Sequence, residues 1–354
     1  MTSTLETTSD IALVGSYPPP HGGQAVHIQN LANFLRTRGL RVGVFNTGSN
    51  KTLQTNGVLN IDGSCALFVA LFRSRRVRLV HVHLSSPLDF RKLVPVAVAA
   101  RARRIPWIVT VHSGNTVYRL RTAGPLQRAA ARAVLRGAAQ VICVNAAIQH
   151  SVSQLVGPKV LTLIPPYSVD ATAVSAPPPE IAGFLANHAP VITCIGLFEP
   201  AYGFDDAVRL MITVHAHHPE AGLLLIGDPQ KSAECRALIA ELGLEGHVRI
   251  CGNLEHDECL GAIGASALFL RPTVYDGDAL SVREALTVGV PVVASATDFR
   301  PDGVVLYRRD IEGDLATKVL AVLKRDAPRD GRRLRTENRN LEQIRQLYTE
   351  LIHD

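Results

Sequence analysis

The run LFLRPTVYDGDALSVREALTVGVPVVAS, from Leu268 to Ser295, limits the fold more than any other stretch of the chain. Leu268-Phe269-Leu270 is a short apolar run with strand composition, stopped by Pro272. Asp276-Gly277-Asp278 is turn chemistry, with the glycine supplying backbone freedom. Ala279 to Val288 has helical composition, and Gly289 ends it as a C-cap. Pro291 opens the next strand, Val292-Val293-Ala294. The expected unit is therefore strand, tight loop, buried helix, strand. Two acids frame it, Asp276 before the helix and Glu284 within it. The loop aims backbone N–H groups of the helix N-terminus at a site ready for an anion. On a purely structural reading, Asp276 caps the helix and Glu284 is a solvated or core-paired acid.

The same alternation continues elsewhere. Ile11-Ala12-Leu13-Val14-Gly15-Ser16 reads as a buried strand, followed by the loop Tyr17 to Gly23. A helix is expected from about Gln24 to Arg38, with Val26, Leu31, Phe34 and Leu35 on its apolar face, then a strand at Val42-Gly43-Val44-Phe45. This is a nucleotide-binding type of unit. Its loop holds Gly22-Gly23 and not GxGxxG, which disfavours a dinucleotide dehydrogenase. Further strands are expected at 79–83, 107–112, 141–144 and 160–164. In open α/β sheets ligands gather at the carboxyl ends of strands, and His83 and His112 both stand there.

At 354 residues the chain has room for two domains. Ala176-Pro177-Pro178-Pro179 has linker composition, which predicts a first domain over 1–170, a linker over 171–190 and a second domain over 191–334. Strands of the second domain are expected at 191–196, 223–228 and 248–252. Helices are expected at 315–323 and 335–352. The first residues lack the basic and apolar regions of a signal peptide, and no apolar run is long enough to span a membrane. The six cysteines show no CxxC and no metal-ligand spacing, the pattern of reduced thiols in a cytoplasmic protein. No carboxylate cluster or histidine set calls for a metal.

Charge is unevenly spread. Residues 1–170 carry 19 Lys and Arg against 5 Asp and Glu, and residues 171–354 carry 18 against 26. The first half should meet something anionic, a lipid headgroup or a phosphate-bearing acceptor. Nucleic acid fits the charge, but no recognition motif accompanies it. Cys65 to Phe72 is an apolar helix leading into Arg73, Arg75, Arg76 and Arg78. It is either a core helix with a solvated tip or a peripheral contact with an anionic membrane.

The stretch 268–295 resembles the donor-binding signature of family 4 (GT4) retaining, nucleotide-sugar-dependent glycosyltransferases. The pattern is an acid, seven residues, then Glu-Ala and Gly-x-Pro-Val-Val-Ala-Ser. Here Asp276 replaces the usual first Glu, while Glu284-Ala285 and Gly289 to Ser295 fit. The resemblance implies an α/β protein of GT-B fold, two Rossmann-like domains with parallel sheets facing across a cleft, and a last helix crossing back onto the first domain. It also implies metal-independent front-face transfer with retention, and no cofactor beyond the nucleotide sugar as co-substrate. The acceptor is a glycan, a lipid-linked sugar or a small molecule.

Roles follow by position. A carboxylate accepts hydrogen bonds from both ribose hydroxyls, which suits Glu284, and Asp276 suits a sugar hydroxyl. Backbone amides of Asp278, Ala279 and Leu280, with Ser281 beside them, suit a phosphate. Asn253 and Leu254 stand at a strand end where the base would lie. His112, before Ser113 and Gly114, matches the family position against the donor sugar. Gly22 and Gly23 let backbone approach the donor phosphates, and His21 and His83 border the acceptor.

The family also carries an Arg after the first strand Gly of its second domain and a Lys five residues on, clamping the diphosphate. Leu197 and Tyr202 occupy those positions here. A leaving diphosphate gathers negative charge, so cations there stabilise the transition state. Arg271 and Arg300 are the candidate substitutes, unless they pair with Asp276, Asp278, Asp298 or Asp302. The missing clamp leaves a rival open, a catalytically weak nucleotide-sugar-binding partner subunit. A nucleotide-sugar 2-epimerase on the same fold finds no support in the acid positions.

Overall fold

The computed structural model describes residues 9–19, 22–51, 55–166, 175–324 and 338–353. The chain divides into two compact units, residues 1–168 with 337–354, and residues 169–336.

The first unit is built on a parallel sheet of β1 (Ile11–Gly15), β2 (Val42–Asn46), β3 (Val58–Asn60), β4 (Leu79–Leu84), β5 (Trp107–Val111), β6 (Gln140–Cys143) and β7 (Leu161–Leu163). Their order across the sheet is β3-β2-β1-β4-β5-β6-β7. Strands β1, β2, β4 and β5 are buried at every residue. Burial on both faces is why they read as unbroken apolar runs and not as an alternation. Around the sheet lie α1 (Gly23–Thr37), α2 (Gly63–Arg73), α3 (Phe90–Arg103), α4 (Asn115–Thr122), α5 (Pro125–Leu135) and α6 (Ala146–Ser153).

Alternate residues of β1 feed two cores. Ala12 and Val14 pack with Val80, Val82, Leu93 and Trp107. Ile11 and Leu13 pack with Ile28, Leu31 and Leu35 of α1. The last helix, α13 (Arg339–His353), joins this second core through Leu341, Ile344 and Tyr348, each at most 2% exposed. The spacing of three and four residues puts those side chains on one face. Burying side chains of this size contributes about 1.5–3 kcal/mol apiece.

The second unit repeats the plan with β8 (Val191–Ile195), β9 (Gly222–Ile226), β10 (Val248–Gly252), β11 (Leu268–Arg271), β12 (Val292–Ser295) and β13 (Val304–Tyr307). The order is β10-β9-β8-β11-β12-β13, again all parallel. Its helices are α7 (Pro179–Asn187), α8 (Phe204–His215), α9 (Ala233–Glu241), α10 (His256–Ala265), α11 (Leu280–Thr287) and α12 (Asp314–Leu323). Helix α7 corrects the linker expected over 171–190. Pro179 stands at its first turn, where a missing N–H costs nothing, and Ile181 and Phe184 pack into the core.

In each sheet the strand order reverses once, between β1 and β4 and between β8 and β11. Such switch points open a crevice at the carboxyl ends of the strands, where ligands bind. Among the described residues no helix is long and apolar enough to cross a membrane.

Candidate functional site

In the second unit the switch point is filled by charge. Arg271 closes β11, and its Nη1 donates to the Ile195 carbonyl at the end of β8 (2.7 Å). Asp276, in the loop that follows, accepts from Arg271 Nε (2.8 Å) and Nη2 (3.2 Å), Thr273 Oγ1 (3.1 Å) and Arg300 Nη1 (2.7 Å). Arg300 also donates to the Ser295 carbonyl, to Thr273 Oγ1 and to Ser295 Oγ. Burial pushes the Asp276 carboxyl up, but the two guanidinium groups, Arg271 foremost, outweigh it and hold it well below the usual range. Burial lowers Arg300 more than Asp276 raises it, whereas for Arg271 the carboxylate prevails. An arginine stays charged through such changes. One carboxylate thus faces two cations, leaving a surplus positive charge in the loop.

Oδ2 of Asp276 takes three of these bonds and Oδ1 only one, which leaves Oδ1 able to accept another. Besides the sugar hydroxyl expected of it, Asp276 is the hub that fixes two arginines. Asp276 does not cap the helix. The N-cap of α11 is Ala279, and no side chain bonds there. Val282 N–H returns to the Ala279 carbonyl (3.2 Å), and among the described residues no side chain caps the N–H groups before it, as a phosphate site requires. Asp278 is held beside it by a bidentate bond from Arg283 (2.6 and 2.9 Å). Burial raises its carboxyl, an effect Arg283 only partly offsets.

Glu284 sits one turn into α11, 5% exposed. Its Oε1 accepts from His256 Nε2 at 2.7 Å, and that bond raises the His256 pKa. His256 opens α10, three residues after Asn253, and had no place in the sequence reading. The available signal was a histidine at a helix start directly behind the Gly252-Asn253-Leu254 loop.

Close backbone packing completes this end of the sheet. A Cβ on Gly227 would lie 2.2 Å from the Gly196 carbonyl oxygen, so only glycine lets the loops after β8 and β9 approach this closely.

The first unit gathers imidazoles at its own switch point. His81 and His83 share one face of β4, with ring centroids 4.1 Å apart and planes tilted by 32°. His83 Nδ1 is 3.0 Å from His112 Nε2, one residue beyond β5. His27 of α1 lies 5.5 Å from His83 and 5.1 Å from His112, centroid to centroid. Its Nδ1 donates to the Pro166 carbonyl (2.8 Å). Behind them His81 bonds Thr110 Oγ1 (2.7 Å) and the Tyr348 hydroxyl of α13. Burial lowers His27 to about 4 and the other three well below their ordinary value, with repulsion between neighbouring rings adding to it. Four neutral rings result. His27 Nε2 and His83 Nε2 are buried with no hydrogen-bond partner, a desolvation cost of about 1–3 kcal/mol each.

His83 was expected to border the acceptor. It is 0% exposed and backs His112 instead. His112, half-buried, keeps an outward position. Gly22 is the N-cap of α1 in extended backbone (φ −116°), and nothing lies within 4 Å of a Cβ on Gly22 or Gly23. Their conformation does not demand glycine, but the space above them is open. His21 falls outside the described residues. Asn253 and Leu254 follow β10 as read, with Asn253 exposed. His27, His81 and Thr110 were missed. The period of two in a strand already ties His81 to His83 and Thr110 to His112, whereas His27 needs the packing of α1.

Two doubly wound, all-parallel α/β units of this order are the GT-B glycosyltransferase fold. HepE from Anabaena, solved with UDP-glucose, matches with a TM-score of 0.75 at 18% identity, over 96% of this chain and 100% of that one. Sucrose-phosphate synthase from Thermosynechococcus elongatus gives 0.71 at 20% identity, over 98% and 99%. Residues 21–167 match the family described as Glycosyltransferase Family 4, and residues 182–309 that described as Glycosyl transferases group 1. Each half of the chain thus matches a glycosyltransferase family, the first half family 4.

A 2-deoxystreptamine glucosyltransferase of Streptomyces kanamyceticus is 29% identical over 240 residues, 64% of this chain and 61% of the relative. A GDP-mannose-dependent monoacylated alpha-(1-6)-phosphatidylinositol monomannoside mannosyltransferase of Corynebacterium glutamicum is 29% identical over 125 residues, 33% of this chain and 32% of that one. The match therefore spans less than two thirds of either curated relative.

Proposed function

We propose that the protein transfers a hexose from a nucleotide sugar to a glycan, lipid-linked or small-molecule acceptor, with retention of configuration and without a metal in the reaction. The observation that carries this reading is the charge arrangement behind α11. Arg271 and Arg300 share Asp276, next to a helix start that no side chain caps. That combination suits a diphosphate and supplies positive charge where Leu197 and Tyr202 replace the usual clamp. Glu284 is assigned to the ribose, oriented by His256. Asn253 and Leu254 are assigned to the base. His112 keeps the role the family resemblance implies, a contact with the transferred sugar. Retention assigns the acceptor proton to the departing phosphate, so no protein general base is named.

A second reading is a weakly catalytic nucleotide-sugar-binding subunit. It is favoured by the same bonds, since both arginines are already engaged with Asp276. Purified protein incubated with UDP- and GDP-sugars separates the two. Donor hydrolysis or transfer that falls by orders of magnitude in Glu284→Ala supports the enzyme. Donor-induced thermal stabilisation with no turnover for any donor supports the subunit.

We place the protein in the cytoplasm, in biosynthesis of a polysaccharide or glycoconjugate. All six cysteines are free, in keeping with a reducing compartment. Peripheral contact with an anionic membrane is supported by exposed Val69, Phe72, Val94 and Val98 on α2 and α3, helices that pack together amid exposed Arg73, Arg91 and Arg101.

A further inference from the structure

The histidines at 27, 83 and 112 come from three separate elements, α1, β4 and the segment after β5, and one ring nitrogen of each lies within 4.8 Å of the other two. His27 is arranged as metal-binding histidines usually are. Its Nδ1–H is spent on a backbone carbonyl, that of Pro166, which leaves the lone pair on Nε2. That lone pair is buried with no hydrogen-bond partner, and His83 Nε2 is likewise buried and unpartnered. The ring of His83 is backed by the tilted ring of His81, itself tied to Thr110 and Tyr348. Sets of neutral imidazoles suit zinc, cobalt, nickel and copper, whereas magnesium and calcium prefer oxygen.

We propose that His27, His83 and His112 form a binding site for a divalent transition metal of the zinc class, with a fourth position open to water or a ligand oxygen. Bonds of about 2.0–2.1 Å in a tetrahedral site set the nitrogens roughly 3.4 Å apart. No pair lies more than 4.8 Å apart, so closing by at most about 1.4 Å reaches that spacing. His112, the member that is not fully buried, is the ring with room to turn. Its 3.0 Å contact with His83 is exchanged for metal bonds. The site shares His112 with the glycosyl transfer proposed above, to which no metal is assigned, and its test does not use activity.

Full-length protein stripped with a chelator and titrated with cobalt(II) is expected to develop the visible d–d bands of a nitrogen-ligated ion, saturating at one metal per chain and displaced by zinc. His27→Gln and His83→Gln each remove a ligand and are expected to weaken binding by more than the roughly hundredfold that loss of an outer-shell partner costs. His247→Gln, in a separate histidine group of the second unit, is expected to leave it unchanged. Because a buried substitution can unfold the unit, X-ray absorption of the zinc-loaded wild-type protein is the second measurement. It should count three imidazole nitrogens at about 2.0–2.1 Å. A wild-type protein with no cobalt bands overturns the proposal, and so do bands that His27→Gln leaves intact or His247→Gln abolishes. Fewer than three imidazoles around zinc overturns it as well, and the two buried nitrogens are then hydration sites.

Discussion

Asp276 sets one carboxylate between two guanidinium groups, so its loss leaves two like charges facing each other in a buried loop. Asp276→Asn is expected to destabilise the second unit by about 3–5 kcal/mol, the range for breaking a buried pair from one side. Denaturant midpoints measure this, and a midpoint within error of wild type would show that the hub is not structural. His256 gives a pH signature. Its folded pKa is raised by Glu284, so the pair's contribution is complete below the ordinary histidine value of about 6.5 and is lost as pH rises through the higher folded value. If His256 orients Glu284, donor-induced thermal shifts decline across that window in wild type. In His256→Gln they are flatter and smaller. A decline that persists in His256→Gln assigns it to another group. At this scale the sequence showed Asp276 and Glu284 by spacing alone. It held pairing of Arg271 and Arg300 with Asp276 open as one alternative, the one the structure shows, but gave no sign of His256, 28 residues before Glu284.

Elements were more legible than contacts. Strands buried on both faces advertise themselves, and the unit from β11 through α11 to β12 was readable because Pro, Gly and the helix each mark a boundary. Strands β3 and β13 went unseen, being short and at sheet edges. Helix α7 was hidden because prolines at its start carry the composition of a linker. Two glycines test how the elements meet. Gly203, at φ +70°, would place a Cβ 2.2 Å from the Pro272 carbonyl oxygen. Gly203→Ala is therefore expected to cost about 2–4 kcal/mol, from backbone strain and overpacking together. A change below about 1 kcal/mol would mean that this loop is free to move aside. Gly22→Ala meets open space in ordinary backbone, and its stability should stay within about 0.5 kcal/mol of wild type. Any fall in donor affinity in Gly22→Ala then reports the approach of backbone to phosphate, and unchanged affinity removes that role.

For the whole molecule, the imidazole cluster predicts acid sensitivity. His27 is neutral when folded, with its pKa lowered from 6.5 to about 4, so the unfolded chain binds the proton more readily. Stability from this group is complete above about pH 6.5 and falls as pH drops toward 4, by roughly 3 kcal/mol. Thermal unfolding followed from pH 7 to 4 measures the loss, which should be smaller in His27→Gln. The uneven charge makes a second prediction, at the surface. Flotation with anionic vesicles is expected to carry the protein at low salt and release it at high salt. Failure to float in either condition removes the membrane contact.

Finally, the first unit closes its core with α13, although the whole second unit intervenes in the chain. On the ribosome, residues 169–336 form a contiguous body that can finish while the unit begun earlier still lacks a wall. Ile11, Leu13 and Leu31 wait for Leu341, Ile344 and Tyr348, so the part synthesised first is completed last. During that interval it presents an apolar face that chaperones would shield.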